Sequence, residues 1–200
     1  MKSFLLVVAL FGPILELDLE VQRAVQAARS PAVEPVMKGA TNIGRPVNVL
    51  AVLLAISLFD AAGPATVKLA LAAMIPTNLL VEGLKRGTHR TRPDGESKRS
   101  NASFPSSHAA NAAAIAWVFS QRWRKLAPAF WVMAVTVAFS RMYLNRHYLS
   151  DVIVGFAIGL VCGWLAPRIV ARLRAMRARP AAVEASARAA AGAAEPAGKA

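Results

Sequence analysis

Apolar runs with few charges divide the chain, and short polar segments between them hold most of the charged residues. The six runs cover residues 4–15, 47–59, 61–81, 100–121, 126–140 and 152–167. Most are shorter than the roughly 20 residues of an upright membrane-spanning helix, but lysines and arginines near their ends can extend to the membrane surface. The pattern predicts an all-α, polytopic membrane helix bundle with about six transmembrane helices, formed by residues 1–172.

The two ends of the chain need separate interpretation. Lys2 followed by an apolar run is also typical of a secretory signal, but no small-x-small cleavage pattern follows, which favours a retained first helix. Residues 18–46 mix apolar and charged positions, as in amphipathic segments at a membrane surface or in a solvated loop. Residues 173–200 are rich in Ala and Arg and predict a frayed helix followed by a disordered tail.

Composition also favours a membrane protein, although the chain carries a large net positive charge. The chain has 24 Lys and Arg against 11 Asp and Glu, a net charge of +13, yet 56% of its residues are hydrophobic and 18% are charged. Soluble domains run at about 45–50% apolar and about 25% charged. A nucleic-acid module would need a water-facing fold, so we expect no nucleic-acid partner. The single cysteine, Cys162, excludes an intramolecular disulfide and a multi-cysteine metal site.

Basic residues in the short loops predict the orientation. Two basic loci follow the fourth and sixth runs and comprise Arg122, Arg124, Lys125, Arg168, Arg172, Arg174, Arg177 and Arg179. With six spans these loci share one face, which is therefore expected to be cytoplasmic. Residues 85–99 place six further lysines and arginines on the opposite face, against the positive-inside rule. A site for a multiply charged anion would account for them.

Two polar segments beside the third and fourth runs carry candidate chemistry. Residues 85–93 read Lys-Arg-Gly-Thr-His-Arg-Thr-Arg-Pro, and alone they are more typical of a headgroup contact or a topology signal than of a catalytic site. Residues 104–110 begin the fourth run with a proline and two serines, a helix start whose N–H groups can bind an anion. His108 follows one turn into this helix, where ionisable residues usually have a function.

A third segment, residues 140–151, joins the fifth and sixth runs. His147 and Asp151 are four residues apart, so on one helical turn the carboxylate could hold one ring nitrogen and leave the other to attack a substrate. The alternative is that Asp151 only caps the sixth helix and His147 lies at the membrane surface.

Together the three segments resemble the signature of the type 2 phosphatidic acid phosphatase family, K-x6-R-P, P-S-x-H and S-R-x5-H-x3-D. The matching residues are Lys85, Arg92, Pro93, Pro105, Ser106, His108, Ser140, Arg141, His147 and Asp151. With a chance of about one in twenty for each fixed residue, ten coincidences are negligible. One position departs from the usual family pattern. The third residue of the second motif is commonly glycine in this family and is Ser107 here, and serine keeps the backbone N–H.

The resemblance implies a lipid phosphatase with His147, His108 and Asp151 as catalytic residues. His147 would attack phosphorus to give a phosphohistidine, Asp151 would orient its ring, and His108 would protonate the leaving group and then activate water. The phosphoryl oxygens would be held by Lys85, Arg92, Ser106, Ser107 and Arg141. Because no carboxylate cluster suits Mg²⁺, we expect neither a metal nor another cofactor.

The implied substrate is an amphiphilic phosphate, and phosphatidate, phosphatidylglycerophosphate and a polyprenyl diphosphate all qualify. We expect a multi-pass protein of the cell's inner membrane, with the site on the non-cytoplasmic side and the tail in the cytoplasm. A lipid phosphotransferase and a non-catalytic transporter or headgroup-binding protein are the alternatives, while six apolar runs argue against a soluble vanadate-dependent haloperoxidase. His89 and Arg90 either contact substrate or belong to a solvated loop, and Glu82 is spaced to pair with Lys85.

Overall fold

The structure is a computed structural model that describes residues 2–61, 63–96 and 102–193. Every regular element in these ranges is helical. The helices are α1 (Lys2–Ala27), α2 (Glu34–Ile43), α3 (Pro46–Phe59), α4 (Gly63–Thr88), α5 (Ser107–Arg122), α6 (Ala127–Tyr143) and α7 (Leu149–Ala193). A 3₁₀ turn, Arg124–Leu126, links α5 to α6. The all-α prediction is confirmed.

Three of these helical segments are long and apolar enough to cross a membrane, namely Gly63–Thr88, Arg124–Tyr143 and Leu149–Ala178. Helices α2 and α3 meet the same criterion as a pair bent by 59°, which raises the number to four within the described residues. Helix α5 has 16 residues and rises about 24 Å, less than the roughly 30 Å of a hydrocarbon core. The membrane character is confirmed, and a total of about six spans stays a prediction.

Capping residues bring two of the motifs to the same end of the bundle. Ser106 is the N-cap of α5, where its Oγ accepts a hydrogen bond from the backbone N–H of Ala109 at 3.5 Å. At the start of α7 the backbone N–H of Tyr148 donates to Asp151 Oδ2 at 2.8 Å, as one half of a capping box. The N–H of Ser106 donates to the main-chain oxygen of Asp151 at 3.0 Å. The two helix starts are therefore bonded directly to each other.

Helix α5 is central and packs against α4, α6 and α7. Its inward positions are small and fully buried, among them Ala109, Ala110, Ala113 and Ala114. On α7 a Cβ added to Gly155 would lie 2.4 Å from the Ser106 carbonyl oxygen, and one on Gly159 only 1.9 Å from that of Ala110. Small residues on both helices thus allow the close approach that holds the second and third motifs together.

The chain ends differ in part from expectation. The first apolar run belongs to α1, which contains Pro13 and continues to Ala27, so residues 18–27 extend the first helix and do not form a separate surface segment. Helix α7 continues to Ala193, through most of the tail for which the sequence predicts fraying and disorder. Residues 194–200 lie outside the described residues.

We expect Gly159→Ala to lower the thermal unfolding midpoint of the protein in detergent. The new methyl group would meet backbone atoms of Ala110, which cannot move aside as a flexible side chain does, and overpacking costs about 1–3 kcal/mol. Gly83→Ala is the control, because this exposed glycine of α4 has nothing within 4 Å of an added Cβ, and alanine is the better helix former by about 1 kcal/mol. Equal midpoints for the two variants would contradict the packing account.

Candidate active site

The three motif segments meet at a polar cavity of about 830 Å³. Of the predicted site residues, those that line it are Lys85, Arg92, Ser107, His108, Arg141 and His147. Ser106 and Asp151 lie behind the wall and are fully buried. Four more basic residues, not singled out by the sequence, complete the lining: Arg29, Lys38, Arg45 and Arg146. Two carboxylates, Glu34 and Glu82, oppose these seven basic side chains, so the cavity suits an anion.

His147 lies in the loop between α6 and α7 and is 2% exposed. Its Nδ1 is 2.7 Å from the carbonyl oxygen of Ser103, and this acceptor assigns the ring proton to Nδ1. The other ring nitrogen, Nε2, lies 3.4 Å from Nη1 of Arg92. Burial lowers the pKa of His147 to about 4, and the nearby Asp151 carboxylate offsets this only in part. At neutral pH the imidazole is therefore uncharged, with an unshared electron pair on Nε2.

The sequence predicts that Asp151 holds a ring nitrogen of His147, and the structure differs. Asp151 Oδ2 is 3.7 Å from Nδ1 of His147, longer than a hydrogen bond. The carboxylate instead accepts from Ser103 Oγ at 2.5 Å and from the Tyr148 N–H at 2.8 Å. His147 precedes the first turn of α7, so the helical i,i+4 geometry does not apply to the pair. Ser103 connects them, with its hydroxyl on Asp151 and its carbonyl on His147.

Arg90 joins Asp151 to the first helix. Its Nη1 donates to Asp151 Oδ1 and to Ser150 Oγ, both at 2.7 Å, and its Nη2 donates to Asp18 Oδ2 at 2.7 Å. The guanidinium also lies 4.4 Å above the centre of the Tyr148 ring. Asp18 is 1% exposed and accepts from the Ser150 N–H at 2.8 Å. Arg90 therefore bridges two buried carboxylates and does not lie in a solvated loop.

Lys85 and Arg141 extend the basic wall. Lys85 Nζ is 3.8 Å from the Glu82 carboxylate, the pair that the spacing predicts. Arg141 Nη1 donates to Thr41 Oγ1, while its buried Nε has no hydrogen-bond partner among the residues that the structure describes. An unsatisfied buried donor costs about 1–3 kcal/mol. The Arg141 side chain lines the cavity, so an anion bound there can accept a charge-assisted hydrogen bond from its guanidinium.

The start of α5 forms one wall of the cavity. Ser106 uses its hydroxyl as the N-cap, whereas Ser107, the first helical residue, lines the cavity. Gly44, at the break between α2 and α3, packs directly on His108, because an added Cβ would lie 3.2 Å from Cδ2 of the imidazole. The small residue therefore brings the α2–α3 break into contact with the histidine ring.

Asp18 and Ser103 are site residues that the sequence analysis does not single out. A weak signal for Asp18 exists, since Asp18, Gln22 and Gln26 recur every four residues on one face of α1. Both glutamines donate to the main-chain oxygen of Met142, at 3.2 and 3.0 Å, so this polar stripe fastens α1 beside the site. Nothing in the sequence distinguishes Ser103, which acts partly through its main chain.

Within the three described ranges, no group of three or more His, Cys, Asp or Glu residues is arranged to hold a metal ion. The expectation of catalysis without a metal or other cofactor stays a prediction.

Comparison with known proteins places the chain in a family. The sequence model of the PAP2 superfamily matches residues 65–175, more than half of the chain. The chain belongs to the PAP2 superfamily. The resemblance inferred from the motifs is thereby confirmed.

Curated relatives in the PAP2 superfamily are phosphatases. Phosphatidylglycerophosphatase B of Bacillus subtilis is 31% identical over 163 residues, covering 74% of this chain and 80% of the relative. A lipid A 1-phosphatase of Porphyromonas gingivalis is 38% identical over 90 residues, which cover 43% of this chain and 20% of that protein. The prediction of a phosphatase of this family is confirmed.

Solved structures agree with the sequence relatives. The crystal structure of LpxE from Aquifex aeolicus has a TM-score of 0.68 and 26% identity, covering 76% of this chain and 95% of that one. The transmembrane PAP2-type phosphatidylglycerolphosphate phosphatase from Bacillus subtilis has a TM-score of 0.67 and 27% identity, covering 86% of this chain and 94% of that one. The helix bundle of this chain is thus the fold of membrane-embedded PAP2 phosphatases.

We expect Asp18→Asn to lower the thermal unfolding midpoint in detergent. The amide cannot replace the carboxylate that faces Arg90 and Ser150. Breaking a buried ion pair costs about 3–5 kcal/mol. We expect a loss of about 2 kcal/mol here, because Arg90 is partly exposed and keeps its ion pair with Asp151. Glu20→Gln makes the same charge change at an exposed position of α1 and serves as control. A midpoint for Asp18→Asn no lower than that of the control would overturn this interpretation.

Proposed function

We propose that this chain is an integral membrane lipid phosphatase that hydrolyses the phosphomonoester or diphosphate of a lipid through a phosphohistidine. The observation that supports it most is the meeting, in one cavity, of a buried uncharged imidazole with basic groups from separate segments. A neutral nitrogen nucleophile and fixed positive charges are what phosphoryl transfer needs from a protein. The names of the relatives agree with a lipid phosphate as substrate.

In the first step, Nε2 of His147 attacks phosphorus and the bond from phosphorus to the leaving oxygen breaks. His108 gives its proton to that oxygen, so the lipid alcohol leaves from a monoester, or the lipid monophosphate from a diphosphate, and phosphohistidine remains. His108 lines the cavity at the first turn of α5, and a bound phosphate would favour its protonated form. Ser103 keeps the proton of His147 on Nδ1, which directs the reactive electron pair toward the cavity.

The transferred phosphoryl group carries its charge on three oxygens, and the protein must neutralise them. Lys85 offers a point charge, while Arg92 and Arg141 offer planar guanidinium donors. The hydrogen bond from Arg141 Nη1 to Thr41 Oγ1 fixes this guanidinium beside the cavity, so its hydrogen bond to a phosphoryl oxygen costs little reorganisation. The N–H of Ser107 at the start of α5 adds a helix N-terminus to this set, and Ser106 contributes as the N-cap that holds this turn.

In the second step, water attacks phosphorus of the phosphohistidine while His108 takes its proton. Inorganic phosphate leaves, and both histidines return to their starting states. Asp151 acts here by position and charge, because it holds Ser103, which in turn holds the ring of His147.

We expect His147→Ala to lose phosphate release from lipid phosphates by a factor of about 10⁴ or more, as removal of a nucleophile does. His108→Ala should lose about 10²–10⁴, the usual contribution of a general acid and base. His89→Asn is the control, because His89 is exposed, does not line the cavity and has a positive φ of 47° that asparagine tolerates. Phosphate release is measured in detergent with a chelator present.

Different outcomes of that assay test different parts of the proposal. Full activity of His147→Ala would exclude it as the nucleophile, and loss of wild-type activity with chelator would exclude metal-free catalysis. Transfer of label to an acceptor lipid without release of phosphate would identify a phosphotransferase. If the wild type acts on none of the lipids, the non-catalytic transporter or headgroup-binding protein becomes the better reading.

We further propose that the cavity faces the non-cytoplasmic side of the inner membrane and that residues 173–200 follow the catalytic domain, 1–172, as a cytoplasmic tail. The support is the positive-inside rule, applied to three basic residues. Arg122 ends α5, and Arg124 and Lys125 lie in the turn before α6, at the end of α5 opposite the helix start that lines the cavity. The lipid substrate would then reach the cavity from the outer leaflet.

In a Cys162→Ala background, we expect an impermeant thiol reagent added to intact cells to label Gly87→Cys and not Lys125→Cys. Both positions are exposed, and Gly87 has open space around an added Cβ. Permeabilised cells should show labelling of both variants, which controls for reactivity. Labelling of Lys125→Cys alone in intact cells would reverse the proposed orientation.

A further inference from the structure

Arg45 is a basic residue of the cavity that a single bound phosphoryl group does not require. It lies at the break between α2 and α3 and lines the cavity with Lys85, Arg92 and Arg141. The other outer basic residues have carboxylate partners, because Arg29 and Lys38 share Glu34 and Arg146 contacts Asp94 and Glu96. No carboxylate in the described part of the chain lies within 4.0 Å of the Arg45 guanidinium. Its charge is therefore available to a ligand.

The position of Arg45 follows from the residue before it. Gly44 packs on the imidazole of His108, since an added Cβ would lie 3.2 Å from Cδ2. In the proposed reaction His108 protonates the leaving oxygen, so the remainder of the leaving group passes this wall. Arg45 follows Gly44 in the chain and lines the same cavity, so a group attached just beyond the leaving oxygen would lie near its guanidinium.

A second, apolar cavity of about 230 Å³ begins at the same wall. It shares Gly44 and Asn111 with the polar cavity and continues between α3, α5 and α6. Its walls include Ile43, Leu53, Ile115, Phe119 and Val137, which suit a hydrocarbon chain. The polar cavity that holds His147, His108 and Arg45 therefore adjoins an apolar channel at Gly44 and Asn111.

We propose that Arg45 binds a second phosphate, carried by the leaving group between the reacting phosphorus and the hydrocarbon chain. The preferred substrates are then lipids with two phosphates in series, either bonded directly as a diphosphate or separated by a glycerol. The polar cavity has ample room, because about 830 Å³ is many times the roughly 30 Å³ that one water occupies in the liquid. This assignment depends on the proposed function, since it takes His108 as the residue beside the leaving oxygen.

The test compares kcat/KM of wild type and Arg45→Gln on phosphatidate, phosphatidylglycerophosphate and a polyprenyl diphosphate. We expect Arg45→Gln to lower kcat/KM for the two-phosphate lipids about 10- to 100-fold, the usual effect of a hydrogen bond to a charged group, and to leave phosphatidate within about threefold. Arg45→Lys should recover part of the loss because it restores the charge. Arg86→Gln, at an exposed position at the end of α4 outside the cavity lining, should change none of the three values.

A larger loss for the polyprenyl diphosphate than for phosphatidylglycerophosphate would assign the subsite to directly bonded phosphates, and the reverse to glycerol-spaced ones. Equal loss on all three lipids, or no loss on any, would overturn the second-phosphate subsite.

Thermal protection of the purified protein by inorganic pyrophosphate gives a readout that does not need turnover. Arg45→Gln should weaken protection by pyrophosphate and not by inorganic phosphate, and equal effects would refute the subsite. A wild type that hydrolyses no lipid contradicts the proposed function alone.

Discussion

The carboxylate of Asp151 is the interaction on which the rest of the site depends. It is fully buried, and a buried charge is tolerated only when it is paired and hydrogen-bonded. Its donors come from three places: Arg90 after α4, Ser103 before α5 and the Tyr148 N–H at the start of α7. The charge is therefore satisfied only when all three segments are assembled, which couples the fold of the bundle to the geometry of the site.

That dependence explains why the site is built in two layers. The inner layer, Asp18, Arg90, Ser103 and Asp151, is a hydrogen-bonded network in which one guanidinium is shared by two carboxylates. The outer layer lines the cavity, and there the basic groups exceed the acidic ones. His147 belongs to both layers, since its Nδ1 bonds to Ser103 in the inner layer while its Nε2 lies beside Arg92. The rigid network can thus hold the ring while the cavity stays open to an anion.

Motif spacing predicted which side chains meet, because each motif lies at a helix end and helix ends gather at one side of a bundle. It did not predict that Ser103 bonds to both Asp151 and His147, because one of these bonds uses a main-chain oxygen. His147 also lies just before α7, where helical spacing does not hold. The sequence did not single out Asp18 from its neighbours Glu16 and Glu20, because charge alone does not tell which of three acidic residues faces inward. Counting the apolar runs between charged segments could not fix the number of spans, because the run around α5 forms only a 16-residue helix.

The clustered positive charge of the cavity also has an energetic consequence. Like charges facing a partly buried cavity repel one another more strongly than in water, so the empty site is held together against its own electrostatics. The acids Glu34, Asp94 and Glu96 relieve part of this repulsion by pairing with Arg29, Lys38 and Arg146. Lys85, with Glu82 only at 3.8 Å, is relieved less, and so is Arg141, whose Nε has no hydrogen-bond partner among the described residues. An anionic substrate supplies the negative charge that Lys85 and Arg141 lack. The basic side chains that repel one another in the empty cavity therefore attract phosphate.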